Sequence, residues 1–138
     1  MRLFAYGTLM LPEVMEVVAG RRFASRPAEL RGWRRRRLRG AVYPAVVPAA
    51  GEVTAGVLFE ELDHATLARL DRFEGEPYER RLLRVVPESG TGCEAFVYVL
   101  RPARQALLSD EPWDETEFRV RQLARYLAGC RAFAGEQP

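Results

Sequence analysis

Lysine, asparagine and isoleucine are absent from this chain of 138 residues, and histidine occurs once. The three missing types have A/T-rich codons, so their absence marks a GC-rich genome and takes weight away from arginine abundance as a functional signal. All 21 basic side chains are arginine, against 19 acidic ones. A net charge of +2 falls short of the wide basic footprint that phosphate-backbone binding usually brings. With His64 alone, a Ser-His-Asp or Cys-His arrangement is excluded unless that residue itself serves, and its place at a helix start argues for a solvated side chain. Cys93 and Cys130 stand far apart without Cys-x-x-Cys or Cys/His spacing. No metal site can be assembled from them, and buried free thiols are expected rather than a disulfide. Apolar runs stop well short of the ~20 residues that span a bilayer. Gly7, Thr8 and Glu13 interrupt the N-terminal apolar stretch before a signal-peptide core can form. Neither a Walker loop nor a dinucleotide glycine fingerprint is present. These absences lead to the expectation of a cytoplasmic protein with no cofactor, metal, membrane or nucleic-acid partner.

What is present is ordinary globular material, 48% hydrophobic and 29% charged. A chain of this size buries roughly two-thirds of its unfolded surface and needs no staple, so residues 1–138 are expected to form a single domain. Arg2 to Ala5 reads as a short first strand running into Tyr6-Gly7. Pro12 opens a short helix with Val14, Met15, Val17 and Val18 on its apolar face, and Gly20 stops it. From Phe23 to Leu58 the pattern is strand-like, punctuated by proline and glycine; short strands at that spacing suggest a curled sheet or small barrel. Within it Val53 to Glu60 is a clear strand, whose Gly56 allows close backbone approach or a bulge. Asp63 caps the best-signalled helix, with Leu67, Leu70 and Phe73 at threefold spacing and Gly75 beyond its end. Arg80 to Val86 and Ala95 to Leu100 form a hairpin over the turn-rich 87–92 segment. A final helix begins at Trp113-Asp114 and closes near Gly129, with Phe118, Leu123, Tyr126 and Leu127 on one side. The tail from Ala132 to Pro138 is expected to fray.

Two segments carry the chemistry. Tyr6-Gly7-Thr8-Leu9 offers consecutive backbone N–H groups at a strand end, the arrangement that can receive a carboxylate or a developing oxyanion. Glu74 falls in the last turn of its helix, where the partial negative charge of the helix end disfavours an ionised carboxylate. An apolar setting beside Phe73 would raise its pKa further, towards the range where one carboxyl both accepts and donates a proton near neutrality. Periodicity alone leaves a plainer alternative open, an exposed glutamate paired with Arg72 or Arg80. Glu76 and Glu79 compete in the same segment, Glu79 as a surface partner of Arg80 and Arg81. Tyr43, Tyr78 and Tyr98 can line a pocket with aromatic walls and hydroxyl donors, or sit in the core with only the hydroxyl at the surface. The run Arg31-Gly32-Trp33-Arg34-Arg35-Arg36-Arg37-Leu38-Arg39 admits a nucleic-acid patch, but reads better as a strand laying arginine stems over the sheet.

The chain resembles the γ-glutamylcyclotransferase-like family over nearly its whole length. The resemblance is carried by Phe4-Ala5-Tyr6-Gly7-Thr8-Leu9, the segment from Gly40 to Pro48, Val53-Thr54-Ala55-Gly56, Leu70-Asp71-Arg72-Phe73-Glu74-Gly75 with Tyr78-Glu79-Arg80, and Trp113-Asp114 with Phe118, in that order. It is similar to short bacterial and plant members in following the loop with Pro12-Glu13-Val14, where the γ-glutamylamine branch has a glycine-rich continuation. The resemblance implies an α+β fold, a small and highly curved mixed sheet or barrel with flanking helices. It also implies a substrate loop at Tyr6 to Leu9 and an acid/base glutamate at Glu74. The reaction it implies is attack of a γ-glutamyl α-amine on its own γ-carbonyl, releasing 5-oxoproline and a free amine, with a small γ-glutamyl compound as partner. The rival to this expectation is a module that holds a small carboxylate or a partner's tail in the same pocket without turnover.

Overall fold

Glycine at position 56 lets two strands approach more closely than any side chain would allow. A Cβ there would lie 2.3 Å from the Ala5 carbonyl oxygen and 2.7 Å from the Phe4 ring. In the computed structural model, which describes residues 1–137, this contact joins β1 (Leu3–Ala5) to β3 (Pro44–Phe59). With β2 (Ser25–Arg37), β4 (Tyr78–Pro87) and β5 (Cys93–Leu100), they close a barrel in the order β1-β3-β2-β4-β5. Neighbours run antiparallel except where β1 meets β5 in parallel at Leu3 and Phe96. The small mixed barrel is the fold implied above.

Between Phe23 and Leu58, however, the chain forms two long strands rather than several short ones. Gly32 and Gly51 adopt φ of 85° and 82°, the left-handed region that glycine enters without strain. The ladder between β2 and β3 steps there from Arg31↔Val53 to Trp33↔Pro48. These glycines therefore bend a continuous ribbon instead of ending strands. Arg31, Arg34 and Arg37 of β2 reach Glu29, Glu52 and Glu111, so half of the arginines in the run are laced to carboxylates, and Arg35, Arg36 and Arg39 donate to backbone carbonyls.

Helices cover one face of the barrel. Pro12 opens α1 (Pro12–Ala19), and Gly20 at φ 86° ends it. Asp63 accepts from the Thr66 amide at 2.8 Å to cap α2 (His64–Glu74), which stops at Gly75 with φ 78°. His64 is exposed at its start. The expected final helix is in fact two, α3 (Glu115–Arg121) and α4 (Leu123–Gly135), broken at Gln122. Nor does it close near Gly129 or fray from Ala132. Cys130 is buried, and Phe133 meets Phe73 edge-on at 5.3 Å, an apolar contact that carries α4 through to Gly135; Pro138 lies outside the described residues. Both cysteines are free, Cys130 buried as expected and Cys93 only half-buried.

Two apolar clusters result. Phe4, Leu58, Val46 and Val97 belong to a cluster of strand residues that fills the barrel. Leu3, Phe59, Met15, Leu67, Leu70 and Phe118 belong to the other, which joins the helices to the sheet. Among the described residues no helix is long and apolar enough to cross a membrane.

Candidate active site

The first strand ends at Ala5, and the backbone turns through Tyr6 and Gly7 into a single 3-10 turn, Thr8–Met10, closed by Met10 N–H donating to the Gly7 carbonyl at 3.0 Å. Glycine at position 7 leaves room for the Pro44 ring: a Cβ would lie a tight 3.0 Å from it. Among the described residues the amides of Gly7, Thr8 and Leu9 meet no protein acceptor. Across from this turn, α2 delivers Glu74 as its last residue. Both border one cavity of about 420 Å³, which also takes Tyr6, Tyr43, Tyr78 and Tyr98 into its wall. The structure thus brings Tyr6 to Leu9, Tyr43, Glu74, Tyr78 and Tyr98 around a single space, while Glu76 and Glu79 do not line it.

Glu74 is the carboxylate on the wall of this cavity, which Arg125 also lines. Loss of water around its carboxyl pushes its pKa from 4.5 up to about 8. Phe73 beside it packs edge-on against Tyr126 and Phe133, and the Glu74 charge bears on the hydroxyls of Tyr6, Tyr78, Tyr98 and Tyr126. The plainer alternative, an exposed glutamate paired with Arg72 or Arg80, is overturned by where those arginines go. Arg72 donates to Gln137 Oε1 at 2.7 Å, and Arg80 grips both oxygens of Asp71 at 2.8 and 3.2 Å. Glu76 is held by Arg104 at 2.8 Å. Glu79 pairs with Arg101 at 3.7 Å rather than with Arg80 or Arg81, because β4 sets it beside the end of β5, opposite Val99.

The tyrosines wall the cavity, but most of their hydroxyls are engaged by the protein. Tyr6 donates to the Tyr98 carbonyl at 2.6 Å, Tyr78 to the Pro44 carbonyl at 2.7 Å, and Tyr98 to Asp71 Oδ1 at 2.7 Å. Burial raises the pKa of all three well above the ordinary tyrosine value, so they stay protonated; Tyr6 and Tyr78 tie barrel segments together and Tyr98 ties the barrel to α2. Tyr78 and Tyr98 are therefore lining groups whose protons point into the scaffold. Tyr43 is 37% exposed at the cavity's edge.

Sequence inspection did not anticipate the contribution of α4. Tyr126 reaches the cavity and shares a 3.0 Å hydrogen bond with Thr8 Oγ1, while Gln122, Arg125 and Cys130 complete that wall. Tyr126 had been placed only on the apolar side of its helix; no local signal says that this side meets the Thr8 turn. Burial pushes the Cys130 thiol up to about 11, which leaves it a weak nucleophile. Among the described residues no group of three His, Cys, Asp or Glu side chains could hold a metal ion. The arrangement can hold an anionic group at free amides and move protons at one carboxyl.

Comparison with known proteins agrees with this architecture. "AIG2-like protein C" of Arabidopsis thaliana is 30% identical over 132 residues, covering 95% of this chain and 76% of that protein. A solution structure of an Arabidopsis thaliana protein superposes with a TM-score of 0.72 at 27% identity, over 95% of this chain and 79% of that one. A structure described as a gamma-glutamyl cyclotransferase shares the fold, with a TM-score of 0.64 at 18% identity over 72% and 66% of the two chains. The sequence model of the "Gamma-glutamyl cyclotransferase, AIG2-like" family matches residues 3–115, and the chain belongs to that family.

Proposed function

We propose that the chain is a γ-glutamyl cyclotransferase that converts a γ-glutamyl amide into 5-oxoproline and a free amine, with Glu74 as acid and base. One observation carries this reading: a carboxyl raised to about 8 shares a cavity with the amides of Gly7 to Leu9. The amides hold the γ-glutamyl carboxylate, and Tyr6, Tyr43, Tyr78 and Tyr98 shape the space around its carbon chain.

In the reaction the substrate's α-nitrogen forms a bond to its own γ-carbonyl carbon, and the original amide C–N bond breaks. Two protons leave the attacking nitrogen and two arrive on the departing one. Glu74 carries them in turn, one before attack and one as the tetrahedral adduct collapses, and returns each time to its ionised form. A value of about 8 for Glu74 lies close to the acidity of an α-ammonium group, about 8 in model peptides, so the first transfer costs little. Because ring closure is intramolecular, the protein's main task is to fold the substrate so that nitrogen and carbonyl meet. The test is to incubate the protein with γ-glutamyl amino acids, peptides and amines and assay 5-oxoproline. Turnover that disappears in Glu74→Gln is the expected result. Binding of these compounds without turnover would instead make the protein a carboxylate-binding module.

A further inference from the structure

Among the described residues Arg35 and Arg36 are the β2 arginines outside the ion pairs; Arg36 donates to the neighbouring Arg35 carbonyl at 2.8 Å, while Arg35 reaches across the barrel end. Whereas Arg31, Arg34 and Arg37 meet glutamates, Arg35 turns towards the end of β1. Its Nη1 donates to the Tyr6 carbonyl at 2.7 Å and to the Ala55 carbonyl at 3.0 Å, and its guanidinium lies 5.6 Å from the Trp113 ring. It is half-buried, and among the described residues no carboxylate lies within ion-pair distance. Burial lowers its pKa, opposed by Tyr6 and then by Glu115 and Asp114. A partly desolvated cation without a counter-ion is unfavourable, and holding two carbonyls alone does not require a full charge.

The explanation lies one bond further on. The Tyr6–Gly7 peptide is trans, so the Gly7 N–H points away from the carbonyl that Arg35 grips. A charged donor on that oxygen also polarises the peptide and strengthens its N–H as a donor. We propose that Arg35 is a positioning residue for substrate recognition: it orients and polarises the Tyr6–Gly7 peptide and supplies the positive field that favours the substrate carboxylate at Gly7 to Leu9. The proposal rests on the reading of that turn as the γ-glutamyl holder.

The experiment compares wild type, Arg35→Gln, Arg35→Lys and, as a surface control, Arg34→Gln. Three quantities are read: steady-state kinetics on an active γ-glutamyl compound, binding of 5-oxoproline, and the Gly7 amide proton resonance. Arg35→Gln is expected to raise KM about tenfold with kcat changed less than about threefold, as befits loss of one charge-assisted interaction. It should weaken 5-oxoproline binding in parallel and shift the Gly7 resonance upfield. Arg35→Lys should recover most of the loss, and Arg34→Gln should match wild type. If Arg35→Gln unfolds, the lysine variant against wild type carries the comparison, with a smaller KM change and the same direction of shift. An unchanged KM and Gly7 resonance alongside a lowered melting temperature would overturn the proposal, leaving Arg35 a structural brace. Wild type inactive on every compound, yet binding 5-oxoproline in an Arg35-dependent way, would sink the proposed reaction and support the role of Arg35.

Discussion

The outer face of β2 and the C-terminal turn of α2 handle charge in opposite ways. On β2, Arg34 meets Glu52 at 2.6 Å, Arg31 meets Glu29 at 2.8 Å, and all four side chains stay well exposed. Such pairs are worth little, about 0–1 kcal/mol each. On α2 two carboxylates lie one turn apart and receive different treatment. Asp71 is held by Arg80 and by the Tyr98 hydroxyl, while Glu74 faces a cavity of aromatic rings and is driven to about 8. Charge that is neutralised holds shape; charge left unpaired in an apolar space is unfavourable for stability and becomes available for proton transfer. Arg35 is the exception on the strand that supports this contrast, because it leaves the surface pairs and turns to the Tyr6 carbonyl at the site.

The contrast breaks most visibly if Glu74 is neutralised. Glu74→Gln should lower the rate of 5-oxoproline formation by about 10²–10⁴-fold, measured against a panel of γ-glutamyl compounds; an equally active variant would return Glu74 to the structural class. In wild type, kcat/KM should rise about tenfold per pH unit below the Glu74 value of about 8 and fall again above it, since the base must be ionised while the substrate nitrogen still carries the proton it gives up. A pH-independent profile between 5 and 8 would contradict that assignment.

Stability offers a further test of the same group. Glu74 has a folded pKa of about 8 against 4.5 for the free side chain, so between these values the folded chain binds more protons than the unfolded one. Stability therefore falls as pH rises through that window and levels off above it, by up to a few kcal/mol in all. Glu74→Gln should remove this slope in denaturant titrations at pH 5 and pH 9. Asp71→Ala leaves the Tyr98 hydroxyl and Arg80 without their shared acceptor and should cost about 1–3 kcal/mol. Arg34→Gln marks the small end of the scale and should shift stability by no more than about 0.5 kcal/mol.

The residues most easily read from sequence were those with a local signature. Asp63, the Leu67-Leu70-Phe73 spacing and Gly75 fixed the limits of α2 and so put Glu74 at its end. Tyr6-Gly7-Thr8-Leu9 was visible as a strand running into a tight turn. Less was legible where structure depends on distant partners. Gly32 and Gly51 look like strand ends, yet they become a bend in a long ribbon because the two strands pair on either side. The extension of α4 past Gly129 goes with Phe133 packing on Phe73, and the break at Gln122 has no local signal in the sequence. Arg35 cannot be told from its neighbours by spacing; only the placement of Tyr6 singles it out.

By itself the sequence determined the helix that presents Glu74 and the turn that presents spare amides, because capping, periodicity and glycine geometry act over a few residues. Tertiary structure decided that the turn and the carboxylate share one cavity, that Asp71 is paired while Glu74 is not, and that α4 supplies the far wall. Those outcomes follow from the exclusion of water and the positions of counter-charges, which exist only once the barrel has closed and the helices have packed against it.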